Sequence, residues 1–142
     1  MPPAGLRKHS QKTWITLKPS EQPTKKTVVI GASENTSRYA SLAVQRLHSH
    51  GHEVIPVGLH EGTIFGIPIL AGNPHIENVD TVSLYIRPEI QKTLFDYILS
   101  LKPKRIIFNP GAENPEFEEM AQKQGIETEE ACTLVMLSIG NF

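Results

Sequence analysis

The sequence predicts an α/β fold, a doubly wound, mostly parallel sheet of five to six strands with helices on both faces. Short runs of β-branched and aromatic residues recur along the chain and alternate with segments of helical apolar spacing. These runs are continuously apolar, which is typical of strands buried on both faces. Repeated strand–helix units of this length favour parallel strands joined by right-handed crossovers.

The composition is that of an ordinary globular protein. The chain has 142 residues, of which 39% are hydrophobic and 20% charged, with a formal net charge of −1. This length favours one domain with a real core, and the charge gives no argument for a nucleic-acid or membrane partner. Cys132 is the single cysteine, so no internal disulfide can form, which fits a cytoplasmic protein.

Residues 1–24 differ from the rest, because they are rich in proline and basic residues and have little apolar periodicity. We expect a disordered or loosely docked tail in which residues 14–17 form a short extended piece. A targeting peptide is the alternative interpretation, although no amphipathic helix is evident. Residues 25–142 are predicted to form the single domain.

The first predicted strand, residues 27–31, runs into a turn and a helix predicted from Arg38 to Ser49. Gly31 and Ala32 add little bulk to the turn, and Gly51 is suited to end the helix. The candidate N-caps are Ser33, Asn35, Thr36 and Ser37. A helix N-terminus after the first strand of a parallel sheet has free N–H groups and a positive dipole end, so it suits a phosphate.

The middle of the chain departs from a regular alternation. The second strand, residues 53–57, contains Pro56, which cannot donate to the ladder and therefore belongs at a strand end or an exposed edge. Residues 58–69 are glycine-rich and too irregular for a full helix. The second crossover helix is thus predicted to be shortened or replaced, with a short strand near residues 67–70.

The second half returns to regular units. A strand at residues 81–86 is followed by one helix that starts at Pro88, ends at residues 102–103, and has an apolar stripe of Ile90, Leu94, Tyr97, Ile98 and Leu101. A strand at residues 105–109 precedes a helix that is capped by Asn114 and closed by Gly125. A last strand at residues 126–129 and a short helix from Thr133 to Leu137 follow.

Ligands of such sheets bind beyond the carboxyl ends of the strands, where the strand order reverses. This rule selects four loops, in which small, polar and proline residues also cluster: residues 31–39, 57–60, 85–88 and 109–114. The first loop lacks the dinucleotide pattern G-x-G-x-x-G, because Ser33 and Thr36 replace its second and third glycines. The second strand ends without the acidic residue that holds a ribose, so ordinary NAD binding is disfavoured.

Five segments carry a resemblance to a known family: residues 29–33, 38–40, 51–57, 108–111 and 131–137. They resemble, in order, the stand-alone CoA-binding domain proteins, which are similar to the Rossmann-like CoA-binding domain of the succinyl-CoA synthetase α subunit. The resemblance covers about residues 26–142. The catalytic phosphohistidine of the synthetase lies in another domain that is absent here, so the resemblance does not imply the ligase reaction.

The resemblance implies that coenzyme A binds with its diphosphate at the first turn. Four groups of residues would form the site: a phosphate loop of Gly31, Ala32, Ser33, Arg38 and Tyr39; a nucleotide wall of Val57 and Gly58; an adenine end of Tyr85, Ile86, Arg87 and Pro88; and an opposite wall of Asn109, Pro110 and Gly111. Arg38 has the charge and the forked geometry to pair with a phosphate oxygen.

Other reactive residues suggest no second chemistry. The histidines lack the spacing of a zinc site, no sequence neighbour marks Cys132 as catalytic, and the glutamates near residue 116 fit a solvated helix face. We therefore expect a protein that binds CoA or an acyl-CoA, without a metal or a catalytic set of its own, and possible partners are a second copy or an enzyme. The alternatives are an NAD(P)- or other nucleotide-binding subunit of a redox or ligase system, and an interaction module that docks through residues 134–137.

Overall fold

The computed structural model describes the backbone of residues 6–8 and 14–16 and all of residues 23–142. Two short strands precede the domain, β1 (Leu6–Lys8) and β2 (Trp14–Thr16), and they pair antiparallel. The remaining part of the predicted tail, with its expected disorder, lies outside the described residues.

The main sheet confirms the predicted α/β class. Its five strands, all parallel, are β3 (Thr27–Ile30), β4 (Val54–Val57), β7 (Thr81–Leu84), β8 (Arg105–Phe108) and β9 (Glu127–Glu130), in the order β4-β3-β7-β8-β9. The order reverses between β3 and β7, so the loops after these strands meet at one crevice. Pro56 lies in β4, an edge strand of this sheet, as its missing N–H predicts.

The second crossover is a hairpin instead of a helix. Strand β5 (Gly62–Ile64) pairs antiparallel with β6 (Ile67–Ile69), apart from the main sheet. The short strand predicted near residues 67–70 therefore exists, but it is not a sixth strand of the main sheet. Leu70, directly after β6, makes an isolated parallel bridge to Val57 of the main sheet.

The helices are α1 (Tyr39–Ser49), α2 (Pro88–Gln91), α3 (Phe95–Ser100), α4 (Pro115–Lys123) and α5 (Thr133–Ile139). The single helix predicted after Pro88 is wrong, because a 3₁₀ turn at Lys92–Leu94 separates α2 from α3. The side chain of Gln91 is fully buried and donates to the carbonyl oxygens of Ile86 and Ala112 at 2.8 and 2.7 Å. Ile90 of the predicted apolar stripe is left 40% exposed. These loop contacts fix the first turn, and the tighter 3₁₀ turn then brings Phe95 into the core.

Apolar side chains fill both faces of the sheet. Because successive strand residues point to opposite faces, Val28 and Ile30 pack on the side of α3 and α4, whereas Val29 packs on the side of α1 and α5. On the first side, the Phe117 ring stacks on Phe95 at a centroid distance of 4.3 Å and meets Phe108 edge-on at 5.8 Å.

Residues 140–142 lead from α5 back to the amino ends of the strands. There the Phe142 ring lies 5.0 Å from the His52 ring, with the Arg105 guanidinium 4.6 Å and the Lys25 ammonium 5.5 Å from its centroid. This cluster places Lys25, and with it the start of the domain, beneath the middle of the sheet. In the part of the chain that the structure describes, no helix is long and apolar enough to cross a membrane.

Candidate functional site

The loop after β3 is tied to the end of β4 by backbone hydrogen bonds. The N–H groups of Gly31 and Ala32 both donate to the carbonyl oxygen of Val57, at 2.9 and 3.1 Å. Gly31 has a φ of +103°, which favours glycine, and a Cβ there would lie 3.2–3.3 Å from atoms of Tyr85 and Ile86. Gly31 thus joins three of the four predicted loops.

Gly58 makes the closest approach in this crevice. A Cβ on Gly58 would lie 2.1 Å from the carbonyl oxygen of Ala32, a backbone atom that no rotamer change can move away. The backbone φ of Gly58 lies outside the left-handed region, so space rather than conformation requires a glycine here. The two loops can meet only because this side chain is absent.

The helix N-terminus above these loops has no side-chain cap. Arg38 is the N-cap residue of α1, and its side chain accepts no hydrogen bond from the first turn. The prediction that one of the four preceding polar residues caps α1 is therefore wrong. These residues bond to one another instead: Asn35 Oδ1 accepts from Ser37 N at 3.1 Å and from Ser37 Oγ at 2.6 Å, and Ser33 Oγ accepts from Asn35 N at 3.3 Å. The N–H groups of the first turn consequently face outward without a capping side chain.

Ser41 holds the polar turn onto α1. Its side chain is fully buried, and its hydroxyl donates to the carbonyl oxygens of Asn35 at 2.7 Å and Ser33 at 3.1 Å. The sequence analysis did not select Ser41. Its signal is a serine within the otherwise apolar face of α1.

Two predicted residues of the phosphate loop project from the surface. Tyr39 is 72% exposed, and Arg38 is exposed beside it at the helix N-terminus. Within residues 23–142, no carboxylate pairs with the Arg38 guanidinium. The positive charge of Arg38 therefore lies beside the positive dipole end of α1.

A buried polar network lies beneath the carboxyl edge. Asn109 Nδ2 donates to Ser83 Oγ and to the Leu84 carbonyl oxygen, both at 3.0 Å, while its Oδ1 accepts from Thr133 N at 2.9 Å. The hydroxyls of Ser83 and Thr133 are 2.8 Å apart. Asn109, predicted as part of the opposite wall, thereby fixes the start of α5 to the ends of β7 and β8.

Replacing Asn109 with alanine is expected to destabilise the fold by about 2–4 kcal/mol. The change leaves the buried Thr133 N–H without its acceptor and removes two hydrogen bonds from β7, and each unsatisfied buried group costs about 1–3 kcal/mol. Urea unfolding would measure the loss, with the exposed Asn141→Ala as the control. If the two variants unfold at the same urea concentration, the hydrogen bonds of Asn109 do not stabilise the fold.

Tyr85 lies over this network on the side of α1 and α5. Its hydroxyl oxygen is buried, and no described group completes a hydrogen bond with it. Burial raises the pKa of the Tyr85 hydroxyl to about 12, so the phenol stays protonated and retains a donor. Cys132, the half-buried N-cap residue of α5, is close by.

The remaining predicted residues lie in the loops after β7 and β8. Pro88 begins α2, Arg87 Nε is 3.8 Å from an exposed Glu89 carboxylate, and Pro110 and Gly111 form an exposed turn. An open pocket of about 340 Å³ lies between the starts of α2 and α4, lined by Pro88, Glu89, Lys92, Asn114 and Glu116. Of the predicted residues, it contains Pro88 alone.

The sequence analysis missed a side-chain hydrogen bond between Asn114 and Gln91. Asn114 caps α4, as predicted, by accepting from Phe117 N at 3.3 Å, and its Nδ2 also donates to Gln91 Oε1 at 3.0 Å. The only sequence signal for this link is a glutamine beside an apolar stripe. Among residues 23–142, no three His, Cys, Asp or Glu side chains are grouped to hold a metal ion.

Comparisons with known proteins agree with this fold. The crystal structure of an uncharacterized protein is 56% identical and matches 85% of this chain and 100% of its own, with a TM-score of 0.83. A Thermus thermophilus protein solved as cell-free ID.343 is 26% identical over 83% of this chain and 91% of its own, with a TM-score of 0.73.

A larger enzyme shares the fold. The dinucleotide-forming acetyl-coenzyme A synthetase 1 of Ca. Korarchaeum cryptofilum, solved with phosphate and ADP, is 18% identical over 76% of this chain and 26% of its own, with a TM-score of 0.63. A search among curated proteins found no match. The sequence model of the CoA binding domain family matches residues 25–138. The chain therefore belongs to the CoA-binding domain family, as the resemblance of its five segments predicts.

Proposed function

We propose that the protein binds coenzyme A or an acyl-CoA in the crevice at the carboxyl edge, with the diphosphate at the start of α1. Family membership supports CoA as the ligand. The observation that carries the site is the close approach of Gly58 to the Ala32 carbonyl, which brings the loops after β3 and β4 together beneath the helix N-terminus.

The chemistry of the loop fits a diphosphate. Uncapped N–H groups at a helix N-terminus donate to phosphate oxygens, and the helix dipole favours their negative charge. Ser33 adds a hydroxyl and Arg38 a guanidinium that can donate two parallel hydrogen bonds to phosphate. The dipole end, the N–H groups and Arg38 thus all present positive potential to one anion.

The nucleotide would extend from this point along the crevice. Val57 and Gly58 end β4 beside the phosphate loop, while Tyr85 to Pro88 lead from β7 into α2. Apolar and backbone surfaces of this kind suit the adenine and the ribose. The proposed role is ligand binding, without a catalytic set among these residues.

A thermal-shift series with CoA, acetyl-CoA, 3′-dephospho-CoA, NAD and ATP tests the proposal. A ligand that binds only the folded state stabilises it by about 2.7 kcal/mol at a hundredfold excess over Kd. We expect a shift with CoA and acetyl-CoA but not with NAD. A shift with NAD alone would favour a redox subunit, and an unchanged melting temperature with every ligand would overturn the proposal.

Replacing Arg38 with alanine is expected to weaken CoA binding about tenfold, because a charge-assisted hydrogen bond contributes about 1.5 kcal/mol. Stability should hardly change, since the Arg38 side chain caps no group of α1. Isothermal titration calorimetry measures the affinity. Arg46→Ala is the matched control, because Arg46 is an exposed arginine in the last turn of the same helix. Equal affinities for the two variants would remove Arg38 from the phosphate site.

A further inference from the structure

The main sheet has one open edge among the described residues. At β4, Leu70 covers the edge, because its N–H donates to the Pro56 carbonyl oxygen and its own carbonyl accepts from Gly58 N, both at 2.9 Å. At the opposite edge, β9 pairs only with β8. The edge at β4 is therefore covered, whereas the edge at β9 has no neighbouring strand on its outer side among the described residues.

The outward groups of β9 can be identified from its hydrogen bonds. The N–H groups of Glu127 and Ala131 donate inward, to the carbonyl oxygens of Lys104 at 3.0 Å and Phe108 at 3.1 Å. Since successive residues of a strand alternate in direction, the N–H and C=O groups of Thr128 and Glu130 point away from the sheet. They are a row of groups ready to pair with another strand.

The surface around this edge is acidic. Residues 113–130 contain seven of the 15 acidic residues of the chain and one basic residue, Lys123. Burial, followed by the carboxylates of Glu130 and Glu113, raises the pKa of Glu118 to about 7. A second copy of β9 would place glutamates against glutamates, and like charges directly opposite each other destabilise a strand pair. The edge thus favours a basic strand.

The N-terminal segment of this chain has two strands that contain basic residues or are flanked by them. Residues 1–22 hold four of the 14 lysine and arginine residues, at positions 7, 8, 12 and 18, but one of the 15 acidic residues. Lys12 and Lys18 flank β2, and β1 contains Arg7 and Lys8. A hairpin of two strands is marginally stable by itself in water, so it benefits from a third strand.

We propose that β2 adds to the free edge of β9, so that the hairpin of β1 and β2 extends the main sheet. The domain begins beneath the amino ends of the strands, where the Lys25 ammonium and the Arg105 guanidinium lie 5.5 and 4.6 Å from the centroid of the Phe142 ring. The nine residues from Thr16 to Lys25 can span about 30 Å, whereas a strand added outside β9 lies four strand spacings from β3, about 19 Å. A segment that enters the domain at the amino ends runs antiparallel to β9.

Amide hydrogen exchange in the full chain, followed by NMR, tests this docking. We expect the N–H groups of Thr128 and Glu130 to exchange about tenfold or more slowly than in the variant Lys12→Glu/Lys18→Glu, because paired strand amides are protected. Raising the salt concentration should reduce the difference, since charge attraction is screened. The Glu129 amide, which points toward β8, is the internal reference and should remain protected in both proteins.

The matched control is Arg46→Glu/Lys92→Glu, which changes the charge equally at two exposed positions away from β9. It should leave the exchange of Thr128 and Glu130 unchanged. Equal exchange of these two amides in the full chain and the tail variant would overturn the proposal. Protection that grows with protein concentration, together with a dimer in sedimentation, would also overturn it, because the edge would then be filled by another molecule. The readout requires no CoA, so its failure is distinct from failure of the proposed function.

Discussion

Replacing Gly58 with alanine is expected to lower the affinity for CoA by on the order of 100-fold, because a displaced phosphate loop would lose about two charge-assisted hydrogen bonds of about 1.5 kcal/mol each. The added Cβ would meet the Ala32 carbonyl oxygen at 2.1 Å, so one of the two loops must move. Moving Ala32 also disturbs the hydrogen bonds from Gly31 and Ala32 to Val57, which define the phosphate loop. Calorimetric titration with CoA measures the loss.

Gly62→Ala is the matched control for this substitution. Gly62 also has a φ outside the left-handed region, but its Cβ would meet the end of the Glu34 side chain, at 2.6 Å, instead of backbone. Glu34 is exposed and can turn away at the cost of its hydrogen bond from Thr63 N, which measures 3.3 Å. Affinity should therefore be kept in Gly62→Ala. If Gly58→Ala binds CoA as tightly as this control, the contact between the loops after β3 and β4 does not shape the binding site.

Replacing Phe117 with alanine is expected to lower the free energy of unfolding by about 3–5 kcal/mol, the usual cost of removing a large aromatic side chain from a core. Phe117 is fully buried and contacts Phe95 and Phe108, so it joins α4 to α3 and β8. The free energy of unfolding of native domains is only about 5–15 kcal/mol, so the variant would keep a small part of its stability. Urea denaturation gives the change directly.

Val135→Ala provides the comparison. Val135 lies on α5 with 53% of its surface exposed, so its truncation should change stability by about 0.5 kcal/mol or less. A loss from Phe117→Ala no larger than that from Val135→Ala would contradict the aromatic contact between the helices and the sheet.

The strands could be predicted because burial on both faces leaves a local signature. Val28, Val29 and Ile30 are β-branched in succession, and each is at most 2% exposed. The cap and first turn of α4 are equally local, since Asn114 and Pro115 have strong positional preferences. For these elements, the chemistry of neighbouring residues and the tertiary structure agree.

The predictions of secondary structure and capping are wrong where a contact between residues far apart in the sequence determines the local structure. The apolar stripe after Pro88 fits one helix, yet Gln91 bonds to Ala112, 21 residues away, and the helix is interrupted there. The polar residues before α1 fit an N-cap, yet Ser41 draws the Asn35 and Ser33 carbonyls toward the helix and Arg38 takes the cap position. The glycine-rich stretch predicts a missing helix but not which segments pair.

Prediction of the candidate site shows the same difference between local signals and distant contacts. The topological rule predicts a crevice where the strand order reverses, and that reversal is present between β3 and β7. The phosphate loop, which the small residues at the strand ends indicate, stays a prediction. The contact between Gly58 and Ala32 depends on two segments that approach only in the fold, so no spacing in the sequence indicates it. The network of Ser83, Asn109 and Thr133 had one local signal, a serine within the buried strand β7.

The packing of α1 against α5 determines when, during synthesis, the domain can finish folding. Val44 and Leu47 share one buried cluster with Leu137, which the ribosome adds 90 residues after Leu47. At about 5–20 residues per second, roughly 5–20 s pass before that partner exists. Until then, α1 can pack on β3 through Val29, but the part of its apolar face that α5 covers stays exposed. The native structure is therefore completed only once α5 has left the ribosome.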